Sequence, residues 1–343
     1  MTKNQLHSDT TTLIAIGIDV SKDKLMFCKK YDNGKKLVFD IKNEKKEIVQ
    51  IAKELKSKKF QGKIIVESTG RHHLLSATEL SKSNLDVRVI NPLIANKYIK
   101  SAVRKVKTDK RDAEVLAEIA LKEEKLPNSF DGNKNVLKLK KKVSLIATLD
   151  KQLQKLTAAM NEFKNTGKEL GLKLTNNEKQ IFKLIGLLKK QKEELEKEVE
   201  KLTTESEYKK EIADRYRSIP GVSSYLASLA TLFFKEEEHS QSAKQWIAFT
   251  GLDISVRESG NWRGKGKMTK RGNGYLRKRL FQAAWGAIMR EGQFKEYYKQ
   301  LREKGKSYVE SLIIISRKIV TIMFYLSKNK CYYDSSKKLF TTN

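Results

Sequence analysis

Leu13-Ile14-Ala15-Ile16-Gly17-Ile18-Asp19-Val20 is a short apolar run, rich in β-branched residues, with an acid near its end. Such a run reads as a buried strand. Ser21-Lys22-Asp23 is a turn, and Lys24 to Lys30 reads as the returning strand. Asp32-Asn33-Gly34 is a second turn signal, and Lys36 to Ile41 alternates as a third strand. Lys45 to Lys58 then places Ile48, Ile51, Ala52 and Leu55 at helical spacing. Lys63-Ile64-Ile65-Val66-Glu67 is another buried strand that ends on an acid. Leu74 to Leu80 predicts a helix, Val87 to Ile90 a strand, and Leu93 to Ser101 a further helix. The first three strands read as an antiparallel meander and the later units as crossovers.

Three strands, helix, strand, helix, strand, helices is the element order of a ribonuclease H-like domain. The last helix opens at Lys107-Thr108-Asp109-Lys110-Arg111-Asp112 and runs into Ala113 to Ala120, which is rich in helix formers. If it starts at Thr108 or Asp109, both carboxylates lie on one face about one turn apart. That spacing suits oxygen ligation of a hard divalent cation. It equally suits a capped helix start with acids facing the dipole. Asp19 ends the first strand and Glu67 the fourth, and in a ribonuclease H-like sheet those ends are neighbours. Asp19 alone could open a turn, and Glu67 alone could be a surface acid. Together with Asp109 and Asp112 they form a set that a basic protein would hold with cations. All-oxygen ligation selects Mg²⁺ or Mn²⁺, and two such ions suit phosphoryl transfer.

The 343 residues carry a formal net charge of +30 and a pI near 9.8. A nucleic-acid backbone is the obvious counter-ion. An anionic membrane surface competes, but no apolar run nears the roughly 20 residues of a span. Met1 to Thr12 is polar and lacks the apolar core of a signal peptide. Cys28 and Cys331 lie far apart and give neither a metal nor a disulfide pattern. The four histidines have no ligand spacing, His72 and His73 being adjacent. The expectation is a reduced, cytoplasmic, nucleoid-associated protein without a membrane partner.

From Leu139 to about Leu202 the pattern changes. Ile146, Leu149, Leu153, Leu156, Met160 and Phe163 form a heptad seam that Gly167 and Gly171 interrupt. Ile181, Ile185, Leu188, Leu195, Val199 and Leu202 form a second seam, with Lys192 at one core position. Two long helices joined near Thr166 to Asn177 are predicted, paired as a hairpin or with another chain. The narrow, polar-flanked stripe favours self-association over an internal bundle.

Arg217-Ser218-Ile219-Pro220-Gly221-Val222 precedes a helix over Ser223 to Leu232 and resembles a helix-hairpin-helix turn, where amides meet a phosphate. Ser223 stands where that motif usually has a second glycine, and a plain helix start explains the stretch equally well. Phe249 to Asp253 then leads into Arg257-Glu258-Ser259-Gly260-Asn261-Trp262-Arg263-Gly264-Lys265-Gly266-Lys267 and on to Arg279. Eight basic residues and no acid lie between Arg263 and Arg279. A loop carrying Arg257, Trp262, Arg263, Lys265, Lys267, Lys270, Arg271, Asn273, Tyr275 and Arg277 can lay cations, amides and rings along a sugar-phosphate backbone. The alternative is a solvated basic loop. Leu280 to Met289 and Tyr308 to Tyr325 read as closing helices, and Asn329 to Asn343 as a tail.

Ile16 to Lys22, Val66-Glu67-Ser68-Thr69-Gly70 and Lys107 to Ala113 resemble the DEDD signature of the transposases of insertion-sequence family one-ten and the related Piv-type DNA invertases. Ile219 to Val222, Gly251-Leu252, Glu258-Ser259-Gly260 and Thr269-Lys270-Arg271-Gly272-Asn273 match that family's C-terminal domain, in the same order and over nearly the whole chain. The resemblance implies an α/β plus α architecture. A RuvC-like DEDD domain would span residues 12–126, a coiled-coil dimerisation segment 135–212, and a mostly helical transposase domain 213–330. It implies metal ligation by Asp19, Glu67, Asp109 and Asp112, and a nucleophilic Ser259, with Ser255 the local rival on composition alone. It also implies donor and target DNA, a guide (bridge) RNA, and dimers assembling to a tetramer whose catalytic halves come from different subunits. A junction-resolving nuclease would need the acids but not Ser259. A nucleic-acid-binding scaffold would need only the basic loop.

Overall fold

The computed structural model describes residues 11–68, 70–92, 94–95, 98, 108–124, 126–234, 242–255, 258–259, 262–263 and 266–337. The chain divides into two compact units, Met1–Leu137 and Lys138–Asn343.

The first unit is a mixed five-stranded sheet with helices on both faces. Its strands are β1 (Leu13–Val20), β2 (Lys24–Tyr31), β3 (Lys36–Lys42), β4 (Lys63–Glu67) and β5 (Asp86–Ile90), in the spatial order β3-β2-β1-β4-β5. The first three form the expected antiparallel meander, while β4 and β5 run parallel to β1. Alternation along β1 and β4 divides the two faces. Ile16, Ile18, Ile64 and Val66 pack with Ile48, Leu55 and Leu80 of α1 (Lys45–Ser57) and α2 (His73–Ser81). On the other face, Ala15 and Ile65 pack with Leu116 and Ile119 of α3 (Asp109–Lys122). The exposed edge of β5 is covered: Phe130 donates its N–H to the Val87 carbonyl at 2.6 Å, and Ser81 Oγ donates to the Phe130 carbonyl at 2.9 Å. Most of the helix expected over Leu93–Ser101 lies outside the described residues.

The second unit is helical. The long helices α4 (Lys134–Glu169, whose first turn belongs to the first unit) and α5 (Asn176–Thr203) form an antiparallel hairpin. Three pairings fix its direction: Lys142 with Glu198, Lys192 with Asp150 at 3.2 Å, and Lys164 over the Phe182 ring at 5.8 Å. The seams therefore meet within one chain. Gly167 does not interrupt α4. The helix ends two residues later, and Gly171, at φ +68°, follows in the left-handed conformation that ends many helices. Thr175 and Glu178 then open α5 with a capping box.

The hairpin base joins one core with α6 (Glu207–Arg217), α7 (Ser224–Phe233), α8 (Ala243–Thr250), α9 (Gly274–Ile288), α10 (Gln293–Glu303) and α11 (Tyr308–Asn329). Apolar spacing and turn residues predict α7 and α11 but not α6, α8 or α10. Those helices are only 8 to 11 residues long, and α6 and α10 are strongly polar, with few apolar residues to mark them. α9 begins at Gly274 rather than Leu280, because Asn273 caps it, accepting from the N–H groups of Tyr275 and Leu276. The predicted tail is partly docked: Tyr333 donates its N–H to Ser218 Oγ at 2.9 Å and its ring stacks with Phe294.

Candidate active site

Ile18 of β1 pairs in register with Val66 of β4, so Asp19 and Glu67 are the next residues on adjacent parallel strands. Strand alternation puts both on the face that α3 covers, the face of Ala15, Gly17 and Ile65. α3 packs close because Gly17 has no side chain: a Cβ there would run into the backbone of Ala113, Leu116 and Ala117. Ion pairs of Lys30 with Glu118 (3.6 Å) and of Lys36 with Glu114 (3.0 Å) set its direction. Lys30 is the register partner of Ala15, at the start of β1. Ala113 packs with Met26, the register partner of Asp19. The first turn of α3, with Asp109 and Asp112, thus lies toward the edge where Asp19 and Glu67 end. Thr108, not an acid, caps α3, its hydroxyl accepting the Arg111 N–H at 3.3 Å. Asp109 is exposed, and Asp19, Glu67 and Asp112 are half-buried.

The donor chemistry suits a hard divalent cation, since all four side chains are carboxylates. Their spacing is open: among the described residues, no three acids, histidines or cysteines are placed to hold one ion. Cys28, on the same sheet face, is no ligand candidate; burial pushes its thiol up to about 11.

Ser259 lies in the second unit, on a β-hairpin arm. β6 (Ile254–Ser255) pairs with β9 (Lys267–Met268), and β7 (Glu258–Ser259) with β8 (Trp262–Arg263), all antiparallel. Ser259 is the register partner of Trp262. The rival Ser255 is exposed near the base, opposite Lys267. The stretch read as a loop thus holds two short strand pairs, hidden from periodicity because the described strands are only two residues long.

The arm is anchored where the two C-terminal motifs meet. Thr269 donates its N–H to the Asp253 carbonyl (2.9 Å), Lys270 to Gly251 (3.1 Å) and Asn273 to Phe249 (2.9 Å). A Cβ on Gly272 would strike the backbone of Phe249 and Gly251, so these two chain segments touch directly. Arg277 donates to the Thr250 carbonyl at 2.9 Å, closing the end of α8.

Among the residues expected on nucleic acid, Lys267, Lys270 and Arg271 are exposed, while the described contacts of Asn273, Tyr275 and Arg277 are internal. Arg257 and Lys265 lie outside the described residues. Tyr275 belongs to a cluster that composition did not reveal. The Arg279 guanidinium sits 5.1 Å from the Tyr225 ring centroid and 5.2 Å from that of Tyr275, donates to Tyr275 Oη and pairs with Glu196. Lys278 and Lys192 converge on Asp150 beside it. Burial pushes both tyrosine hydroxyls up, keeping them neutral. The one sequence signal for this network was Lys192 at a core seam position.

Comparison with known proteins identifies the family. A family model described as transposase, the DEDD type of IS110, matches residues 16–166. A second, described as the transposase IS116/IS110/IS902 family, matches residues 213–299. The chain is 25% identical over 309 residues to the transposase for insertion sequence element IS1111A of Coxiella burnetii (strain RSA 493 / Nine Mile phase I), covering 83% of this chain and 80% of that one. It is 25% identical over 283 residues to the pilin gene-inverting protein of Moraxella lacunata, covering 79% of this chain and 81% of that one. Both models fall on the regions that carry the acid edge and the arm, and the chain belongs to the IS110 family of transposases.

Proposed function

We propose that this transposase cuts and rejoins the DNA strands of its own mobile element, with Ser259 as nucleophile and Asp19, Glu67, Asp109 and Asp112 as ligands for Mg²⁺ or Mn²⁺. The observation that supports this most is the shared edge: Asp19 and Glu67 on adjacent strand ends of one sheet face, toward which the first turn of α3 points. The strand order β3-β2-β1-β4-β5 supports a ribonuclease H-like, RuvC-like reading of the first unit. The two relatives are named as a transposase for an insertion sequence element and as a pilin gene-inverting protein, and both names support this reading.

In the proposed reaction, Ser259 Oγ forms a bond to phosphorus as the bond to a deoxyribose oxygen breaks. The serine's proton leaves to solvent or a base, and the departing oxygen is protonated. Attack by another strand's hydroxyl on the serine phosphodiester reverses the exchange and rejoins DNA without an external energy source. A bound divalent ion would supply positive charge at the scissile phosphate. The basic arm and exposed Lys267, Lys270 and Arg271 would hold backbone phosphates.

A guide RNA and a tetramer complete the proposal, along with the three-part division 12–126, 135–212 and 213–330. Self-association through the hairpin draws support from its exposed Leu156, Phe163, Leu184, Leu187 and Leu188. An apolar cleft of about 420 Å³ between Leu149, Leu153, Leu156, Ala159 and Leu188 lies on the same stripe.

The test is a denaturing-gel and mass assay with the element's flanking RNA, donor and target DNA, and Mg²⁺. A protein–DNA adduct mapping to Ser259 and lost in Ser259→Ala is the expected result. Cleavage without an adduct would leave a water-using nuclease, and no cleavage with intact binding would leave a scaffold.

A further inference from the structure

At the base of the hairpin, α5, α6 and α7 enclose a cleft of about 360 Å³. Four cations line it: Lys197 and Lys201 from α5, and Lys210 and Arg217 from α6. Lys210 stands 3.5 Å from Glu207, and Arg217 is 3.1 Å from Asp214. Among the described residues, Lys197 and Lys201 have no carboxylate within ion-pair distance. They are one helical turn apart on one face of α5, so their charges add at the cleft mouth.

The cleft wall carries a second signal. Ser228 of α7 is only 2% exposed, yet it lines the cleft. Its hydroxyl has no hydrogen-bond partner among the described residues. Its oxygen is not fully enclosed, so the hydroxyl opens onto the cleft and is available to donate. A hydroxyl in a cleft rimmed by ammonium and guanidinium groups suits an anionic oxygen that accepts from both.

We infer that this cleft binds one backbone phosphate of a nucleic acid, the phosphate oxygens accepting from Lys197, Lys201, Arg217 and Ser228. The inference rests on the proposed action on nucleic acid and adds a contact outside the arm. It also differs from the helix-hairpin-helix reading. In that reading the turn at Ile219–Val222 would meet the phosphate, but Gly221, at φ +84°, is pressed against the backbone of Ala283 and Ala287 in α9.

Glu200 and Asp214 also line the cleft; Asp214 is paired with Arg217, and the Glu200 charge opposes the incoming phosphate. Burial pushes its carboxyl up, and the nearby Glu196 charge adds to this, while Lys197 and Arg217 oppose it. Removing the charge of Glu200 should therefore improve binding, an outcome that damage to the fold would not produce.

The experiment titrates the full chain against fluorescent duplex DNA and against a structured RNA, each over a series of salt concentrations. The double variant Lys197→Ala/Lys201→Ala should bind about tenfold more weakly, with a salt slope smaller by about 1. Ser228→Ala should weaken binding about threefold at unchanged melting temperature. Glu200→Gln should tighten it about threefold. Loss confined to one of the two nucleic acids assigns the phosphate to that source and supports the site. Wild-type binding that none of the variants changes overturns the site but leaves the proposed function standing. A wild-type chain that binds neither nucleic acid overturns both.

Discussion

Gly17 of β1 lies directly against the backbone of Ala113 in α3, with no room between them for a methyl group. This contact holds the helix that carries Asp109 and Asp112 at the sheet edge where Asp19 ends. Gly17→Ala should cost about 3 kcal/mol, the upper range for overpacking, because backbone cannot rotate away as a side chain can. Chemical denaturation should register that loss. Strand cutting should fall further than stability predicts, since the acids are displaced with the helix. Wild-type cutting in a folded Gly17→Ala chain would separate α3 from the chemistry.

The acids make a second prediction. Asp19→Asn or Asp112→Asn, or removal of divalent ions with a chelator, should lower strand cutting by at least about 10³-fold while leaving DNA binding within about threefold. Gel-shift and cleavage assays on the same samples distinguish the two effects. Equal losses in both would make the carboxylates structural.

The arm should fail through its anchor. Gly272→Val would push apart Gly251 and Phe249, and Arg277→Ala would release the Thr250 carbonyl. The first should cost about 2–3 kcal/mol and the second about 1 kcal/mol. Each should slow formation of the Ser259 adduct, with Arg277→Ala doing so at near-normal thermal stability. Unchanged adduct kinetics in Arg277→Ala would show that the arm's position does not depend on this tie.

Asp150 gives the acid sensitivity of the second unit. Burial alone would push its carboxyl up, but hydrogen bonds from Lys278 and Lys192 outweigh this and hold it below the usual carboxylate range. A depressed carboxyl contributes stability that is complete above about pH 5 and is lost as pH falls through its folded value. Stability of the wild type should therefore drop below about pH 4. In Asp150→Asn it should already be lower by about 2 kcal/mol at neutral pH, because Lys278 loses its carboxylate and Lys192 keeps only Glu196, with a flatter acid limb. Parallel slopes in the two proteins would show that Asp150 does not set this limb.

With a formal net charge of +30, binding to RNA or DNA should weaken steeply with added salt. Log K against log salt measures this, and a flat line would remove backbone phosphates from the account.

Among the described residues, no helix is long and apolar enough to cross a membrane.

Local patterns determined much of the first unit. Buried runs such as Leu13–Val20 and Lys63–Glu67, and turns such as Asp32-Asn33-Gly34, depend on neighbours a few residues away, so strands, helices and their order were legible. So was the start of α3, because Thr108 as cap and the acids of its first turn are local signals. The resemblance of the motifs likewise marked the family. Tertiary structure alone decided what depends on residues far apart. Gly17 has meaning only against Ala113, and Gly272 only against Phe249. Lys192 breaks a seam in sequence and closes it in space, because Asp150 meets it from 42 residues away. The arm of Ser259 escaped periodicity because its strands are held by cross-strand pairs and an anchored base rather than by an apolar face. The cleft at Ser228 escaped for a related reason: three helices each supply a few polar residues, and no one of them carries the pattern.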